Sequence, residues 1–480
     1  MTTAKTPIVI YWFRHDLRLA DNPALRAAAA EGEVLPIFIQ PSEPISEQEP
    51  GAASRWWLHH SLAAIDKKLK GNLRYFSGNP SEIIPGLCRH FNITAIFLNQ
   101  SFDPWQQQAD DNLTHQLNQQ GITVHRSNGS LLWNPWDCFK ADNSPYRVFT
   151  PFFRNCSNNN QPPRHPLPLP KSLSLAKTRV PDACTLDSLS LRPQHRWCNK
   201  LSRYWTVGEI GAQQRLQIFL DSNLHSYKEG RDYPAQPSTS RLSAALHFGE
   251  LSPNQLWYAV ENHPSTEDSY HFRRQLVWRE FSYNLLFCHP LMGKKNLQEK
   301  FGHFDWLDNP ELLQRWQRGL TGYPLVDAGM RELWQTGTMH NRVRMVVGSF
   351  LVKNLRLHWR HGERWFRDCL LDADSALNSA NWQWVAGCGT DATPYFRIFN
   401  PTIQAKKFDS QGEYIRQFIP ELAELPLRYL FTPWTAPDEI LSSCGIELGE
   451  NYPAPIVDLK VSRQQALNAY SRLKDHLAVS

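Results

Sequence analysis

Methionine is scarce in this chain, with 5 in 480 residues against 18 tryptophans. Indoles are costly to bury, because each N–H needs a partner, so their abundance hints at stacking or electron-transfer work without proving either. No two cysteines fall in a C-x-x-C pair. The nine are scattered, which argues against a zinc site or a disulfide framework and for reduced thiols in a cytoplasmic protein. No G-x-G-x-x-G occurs, so dinucleotide binding by the usual phosphate turn is unsupported. The N-terminal run MTTAKTPIVIYWFRHD reaches charge too soon for a secretory core, and nothing approaches the roughly 18 apolar residues of a membrane span. Internal repeats and low-complexity tails are absent as well.

What is present is ordinary in bulk: 41% hydrophobic residues, 20% charged, and a net charge of +5. That mild basicity permits an anionic partner without requiring one. The first third alternates short β-rich runs (PIVIYWF, VLPIFIQ, NLRYF, TAIFLNQ, ITVHRS) with helical stretches at 54–70, 80–90 and 106–120. Such alternation predicts right-handed βαβ units and a doubly wound parallel sheet. Residues 157–194, rich in Pro, Asn and Ser, read as an extended connector. Beyond about residue 209 the apolar spacing is helical, over 209–224, 271–287, 311–318, 326–335, 339–356 and 363–371. The expected architecture is α/β + all-α: an α/β domain at 1–135, a linker at 136–205 and an all-helical domain at 206–480.

The densest chemistry lies between Trp359 and Pro401. The stretch from Met339 to Arg360 carries Arg342, Arg344, Lys353, Arg356 and Arg360 with no acid, and Met345, Val346, Phe350, Leu351 and Leu355 are its expected buried stripe. A solvated face and a phosphate-binding face both fit this pattern. Asp372 and Asp374 follow, either as helix caps or as acceptors for hydroxyl and ring N–H groups, with Arg344 a potential partner. Ser238 to Ser243 (STSRLS) sets hydroxyls and a guanidinium at a predicted helix start, suited to capping or to a pyrophosphate, and Tyr227 could close over the same ligand. Trp306, Trp359 and Trp382 sit on separate helical stretches. Core packing is their commoner role, and an electron relay is the alternative.

Taken in order, WFRHDLRLADNPAL, TPFFRN, RDYPA, TSRLS, WREF, GYPLVDAGMREL, GTMHNRVRM, the 359–401 segment and YPAPIVD resemble the DNA photolyase/cryptochrome family, most closely its class I bacterial dimer photolyases. The resemblance implies FAD bound in the helical domain. Tyr227 and Thr239, Ser240, Arg241, Leu242 and Ser243 would hold its phosphate and ribityl portion. Asp372, Ala373 and Asp374 would line the ring, with Arg344 pairing Asp372, and Asn378 would face flavin N5. A neutral amide there suits the anionic hydroquinone; plant cryptochromes carry an acid instead. Trp382, Trp359 and Trp306 match the family's relay.

The implied reaction is light-driven repair of cyclobutane pyrimidine dimers in UV-damaged DNA, with the dimer flipped from the duplex as in other photolyases. Trp278 and Trp384 would wall the lesion, and Gln275, Asn341 and Met345 would touch it. Arg279, within WREF, counts among the DNA-facing residues, and Arg342, Arg397, Arg231 and Arg154 are candidates for phosphate contact. Gln275 stands where dimer photolyases have Glu and (6-4) photolyases have Gln, whereas Asn341 is the dimer-enzyme form. Trp105 and Gln106 replace the Asn-Glu pair of folate-binding relatives, and the Arg-containing loop of deazaflavin-binding relatives is absent, so a folate or deazaflavin antenna is left unassigned. The lack of a C-terminal extension favours repair over a cryptochrome photoreceptor. A monomer is expected, with no membrane association.

Overall fold

A computed structural model describes residues 6–41, 49–158, 161–193, 196–264, 266–392 and 394–479. It divides into two compact units, Met1–His225 with Ser240–Pro290, and Ser226–Thr239 with Leu291–Ser480. The cuts differ from the boundaries expected at 135 and 205, because a long stretch of the presumed helical region packs with the first unit.

The first unit holds a five-stranded parallel sheet, β1 (Ile8–Phe13), β2 (Glu33–Gln40), β3 (Arg74–Ser77), β4 (Ala95–Asn99) and β5 (Thr123–Ser127), in the order β3-β2-β1-β4-β5. All five strands lie where the sequence places them. Strands β1, β2 and β4 are almost wholly buried, as expected of apolar runs covered on both faces. Helices α1 (Pro23–Glu31), α2 (Ala52–Lys68), α3 (Pro80–Phe91) and α4 (Pro104–Asn118) alternate with the strands. Of these, α1 was not anticipated: its PALRAAAAE run is mostly alanine and carries little periodic contrast.

The charged motif WFRHDLRLADNPAL fastens this unit. Tyr11 donates to Asp16 and accepts from Asn22 Nδ2 (2.7 Å), while Asn99 at the end of β4 donates to Asp16 (2.7 Å) and Asn22 (2.8 Å). Arg18 is fully buried and donates to the carbonyls of Asp21, Gly129 and Gly249. The connector is tied down rather than loose. Asp21 accepts from Arg164 and from Leu167 N (2.8 Å), and single bridges join Val34 to Leu175 and Tyr75 to Cys184. Helix α5 (Phe149–Asn158) packs on α6 (Thr266–Cys288), where Phe149 stacks on Trp278 at 3.7 Å and 7°.

In the second unit, α7 (Pro324–Thr336) is followed by α8 (Asn341–Ser349), α9 (Trp359–Cys369) and α10 (Ser375–Ala386). The single helix expected over 339–356 instead passes from α8 into a π turn, Phe350–Asn354, and ends there. Its buried face differs too. Met345 is half-buried, and Val343 and Val347 stand beside Val346 in the core.

The GYPLVDAGMREL motif serves the packing. Asp327 is buried and accepts from Thr321 N (2.7 Å), Thr321 Oγ1 (2.6 Å), Gly322 N (2.9 Å) and Tyr452 of YPAPIVD (3.0 Å). Gly322 has φ +80°, and a Cβ there would come within 2.5 Å of the Ala454 carbonyl carbon. We expect Asp327→Ala to cost about 3 kcal/mol in urea unfolding, since four buried donors lose their acceptor; a cost under about 1 kcal/mol would contradict this role.

Candidate flavin and DNA site

Helix α9 and helix α10 approach closely because residue 362 has no side chain. A Cβ on Gly362 would lie 2.1 Å from the Trp382 ring. Trp382 also packs edge-on against Phe366 (4.9 Å). Asp374 caps α10 by accepting from Ala376 N (3.0 Å) and Leu377 N (3.1 Å), so the capping role is realised for this acid. Asp372 takes the guanidinium of Arg344 on both oxygens at 3.1 Å. Ala373 between them is half-buried.

Asn378, one turn into α10, has its amide orientation fixed. Its Nδ2 donates to the carbonyl oxygen of Glu363 (3.0 Å) and to Glu363 Oε1 (2.9 Å). Reversing the amide would set its carbonyl against two acceptors, so the acceptor Oδ1 faces away from Glu363. Glu363 is only 2% exposed and also pairs with Arg367. It was missed in the sequence, although it is the one acid in the run from Met339 to Arg367.

The three relay candidates differ in depth. Trp382 and Trp359 are buried, at 3% and 0% exposure, while Trp306 is half-buried. Trp359 Nε1 donates to Asn296 (2.8 Å). Trp306 Nε1 is buried without a partner among the described residues. The His358 ring lies 5.0 Å from Trp306 and 5.7 Å from Trp359, centroid to centroid. His358 was not anticipated, since a lone histidine in a basic run carries no signal of its own.

The cations of 339–360 do not form one phosphate-binding face. Arg342 pairs with Asp232 (2.7 Å) and covers Phe408, Arg344 pairs with Asp372, and Arg356 pairs with Asp305 (3.3 Å). Lys353 is fully buried and donates to the Arg397 carbonyl (2.9 Å). Burial, helped by the Arg397 charge, lowers its ammonium to about 7. Arg397 itself is exposed. Asn341 is exposed, and Met345 lies one turn along the same face of α8; Trp384 on α10 is half-buried.

Tyr227 is buried in this unit beneath the Arg231 guanidinium, and Thr239 is half-buried. Several buried polar atoms here have no protein partner among the described residues, including His340 Nε2, Arg342 Nε and Ser379 Oγ. Burial, assisted by Arg342 and Arg344, keeps the His340 imidazole neutral, lowering it to about 4. With the outward carbonyl of Asn378 and the Arg344–Asp372 pair, this donor and acceptor set suits a polar, multi-ring ligand such as a flavin nucleotide.

The first unit carries Ser240, Arg241, Leu242, Ser243, Gln275, Trp278 and Arg279. Helix formation begins only at Ser243 and lasts five residues; Arg241 has φ +51° and lies over Trp205 at 4.8 Å. Gln275 and Trp278, three residues apart on α6, are both half-buried. Arg279 is corrected from a DNA-facing residue to a structural one. It is buried and donates to the Ser130 carbonyl (2.9 Å) and to Glu280 (3.1 Å). Burial raises the Glu280 carboxyl to about 7, while Glu280 accepts from Leu132 N (2.8 Å). In the loop expected to bear on an antenna, Gln106 donates to Asp110 (2.9 Å), which also holds Arg14.

A parallel α/β unit with this motif order, and a helical unit with this arrangement of acid, amide and indoles, belong together in the DNA photolyase/cryptochrome family, and the chain is a member of it. Residues 9–171 match the family model described as DNA photolyase, and 272–472 match the FAD binding domain of DNA photolyase. A deoxyribodipyrimidine photo-lyase of Agrobacterium fabrum is 46% identical over 478 residues, 98% of this chain and 99% of that one. Cryptochrome-2 of Arabidopsis thaliana is 36% identical, over 97% of this chain and 79% of its own length. The crystal structure of a bacterial class III photolyase from Agrobacterium tumefaciens superposes with a TM-score of 0.94 at 45% identity, covering 99% of this chain and all of that one. The similarity therefore runs to a class III enzyme, which corrects the class I expectation. Motifs that fasten the fold and line the site report the family rather than the class within it.

Lys353 gives a pH signature. Its folded-state value lies below the ordinary 10.5, so between about 7 and 10.5 the unfolded chain binds the extra proton. Stability should rise with pH across that window. In Lys353→Met, unfolding midpoints at pH 7 and pH 9.5 should move together; an unchanged rise in the variant would exclude Lys353 as its source.

Proposed function

We propose that the protein repairs cyclobutane pyrimidine dimers in DNA, using FAD and blue light, as a deoxyribodipyrimidine photo-lyase. The observation that carries this reading is the Asn378 amide held by Glu363. With Nδ2 held by Glu363, the Asn378 carbonyl would be the acceptor offered to flavin N5, and it would favour the protonated nitrogen of the reduced cofactor, the state a repair enzyme must maintain. When bound and reduced, FAD would supply the excited electron donor that opens the two cyclobutane bonds and recovers the electron.

The chain's own residues set the rest. Arg344, held by Asp372, and Tyr227, Thr239 and Ser240 to Ser243 are the residues we assign to cofactor binding, with Ala373 and Asp374 along the ring. Trp382, Trp359 and Trp306 would carry an electron inward from the surface. Trp278 and Trp384 each offer an indole face to an unstacked pyrimidine. Asn341 and Met345 would contact its edge, and Gln275 can donate to a pyrimidine carbonyl without adding negative charge. Arg397, exposed and without an acid partner among the described residues, is a better phosphate ligand than Arg342, which is engaged by Asp232. Affinity for DNA should fall as salt rises.

The deciding assay is blue-light repair of an oligonucleotide containing one thymine dimer, with a (6-4) lesion in parallel, using the reduced enzyme. Restoration of the dimer alone is expected. Repair of the (6-4) lesion instead, which Gln275 would suit, or of neither with flavin bound, as in a cryptochrome photoreceptor, would reject the proposal. In Gln275→Glu the carboxylate would instead accept from the pyrimidine N3–H, a charge-assisted contact that should raise dimer affinity about fivefold, on the scale of 1 kcal/mol; an unchanged or weaker affinity would count against Gln275 as a lesion contact. In Glu363→Ala the Asn378 amide keeps the residue-363 backbone carbonyl but loses the carboxylate, so it is held less firmly, and the flavin midpoint potential should become more negative by about 40 mV for a one-electron couple. Spectroelectrochemical titration checks this, and an unmoved midpoint would show that Glu363 does not set the amide.

A further inference from the structure

The His358 ring stands between two members of the tryptophan series, and no function assigned above uses it. Its centroid is 5.0 Å from Trp306, tilted by 59°, and 5.7 Å from Trp359, nearly parallel at 29°. We propose that His358 is a positioning residue of the relay: an aromatic spacer kept uncharged so that positive charge can pass from Trp359 to Trp306. The proposal rests on the relay reading given above.

Three observations support it. His358 caps α9 by accepting the Arg360 N–H on Nδ1 (3.2 Å), so the ring proton sits on Nε2 and no lone pair remains to take a proton from Trp306. Trp306 Nε1 has no partner among the described residues either, so the oxidised indole keeps its proton and its charge at first. Its neighbour must then tolerate a cation at close range. The surroundings keep the imidazole neutral, because burial and the charges of Arg360, His361 and Arg364 lower it to about 4. On the Trp306 side, Asp305 is already engaged by Arg356 (3.3 Å) and Arg472 (2.8 Å), and Asp308 acts on His361. An imidazolium would therefore find little support here, and it would repel the charge arriving on either indole.

The step itself is a single electron transfer. Trp306 gives one electron to the oxidised Trp359, no bond forms or breaks, and an external thiol later returns an electron to Trp306.

The test compares His358→Phe with His358→Lys in the FAD-loaded protein. Both lose the cap on α9 equally, so they differ in charge and ring alone. Transient absorption reads the yield of the long-lived tryptophan radical, and steady illumination with thiol reads the photoreduction rate, both at equal flavin content. His358→Phe should remain within about twofold of the parent. His358→Lys should fall by at least about tenfold, a conservative bound on the roughly 250-fold that a unit charge about 5 Å from a radical cation gives at a dielectric of about 20. Equal yields in the two variants would overturn the proposal. Repair by chemically reduced enzyme bypasses the relay: repair by all three proteins keeps the proposed function standing whatever His358 does, and a parent that repairs no lesion would reject that function separately.

Discussion

The indole of Trp382 fills the space that any side chain at residue 362 would need, and the second unit is organised around that contact. Because α9 and α10 meet without an intervening side chain, Glu363 reaches the amide of Asn378 from the facing helix. Phe366, one turn further along α9, closes the other side of the same indole. Trp359 and His358 then fall at the start of α9, one turn before Gly362, on the way to Trp306. A methyl group at 362 would separate these helices and disturb the acid–amide pair and the indole series together. Interiors packed to crystal density transmit such a change rather than absorbing it.

Much of the first unit was legible in the sequence, and the reason is physical. A parallel sheet covered on both faces needs continuous apolar strands, and β1, β2 and β4 have them. Helix α1 escaped because alanine satisfies a helix without showing which side is inside. In the second unit, periodicity located the helices that bury an apolar stripe. It does not mark α10, whose buried positions mix polar and apolar residues, or the π turn after Ser349, which sequence spacing does not signal. The candidate site was legible as a set of residue types. What could not be read was partnership: Lys353 looks like a surface cation and is buried, and Arg279 looks like a DNA ligand and is tied to Ser130 and Glu280. Charge is visible in a sequence, whereas desolvation is a property of the fold.

The same distinction separates motif from mechanism. WFRHDLRLADNPAL and GYPLVDAGMREL are dense in charged and polar residues, yet Asp16, Arg18, Asn22 and Asp327 are all buried and hydrogen-bonded within the protein. Such networks specify one packing, since each member loses a partner if the others shift. They mark the family reliably because they build its frame, and for that reason they say little about lesion or class. Those questions turn on a few partly exposed side chains such as Gln275 and Asn341.

The connector bears on a different hazard. Strand β3 is the last in its sheet, and its outer edge would otherwise leave backbone donors and acceptors open to another chain. Cys184 N donates to Tyr75 O (2.8 Å) along that edge, and the segment leading to it is rich in proline, which lacks the N–H needed to continue a ladder. A strap of this composition seals the sheet without extending it. Its length and monotony, which look like slack in the sequence, are a safeguard against edge-to-edge aggregation.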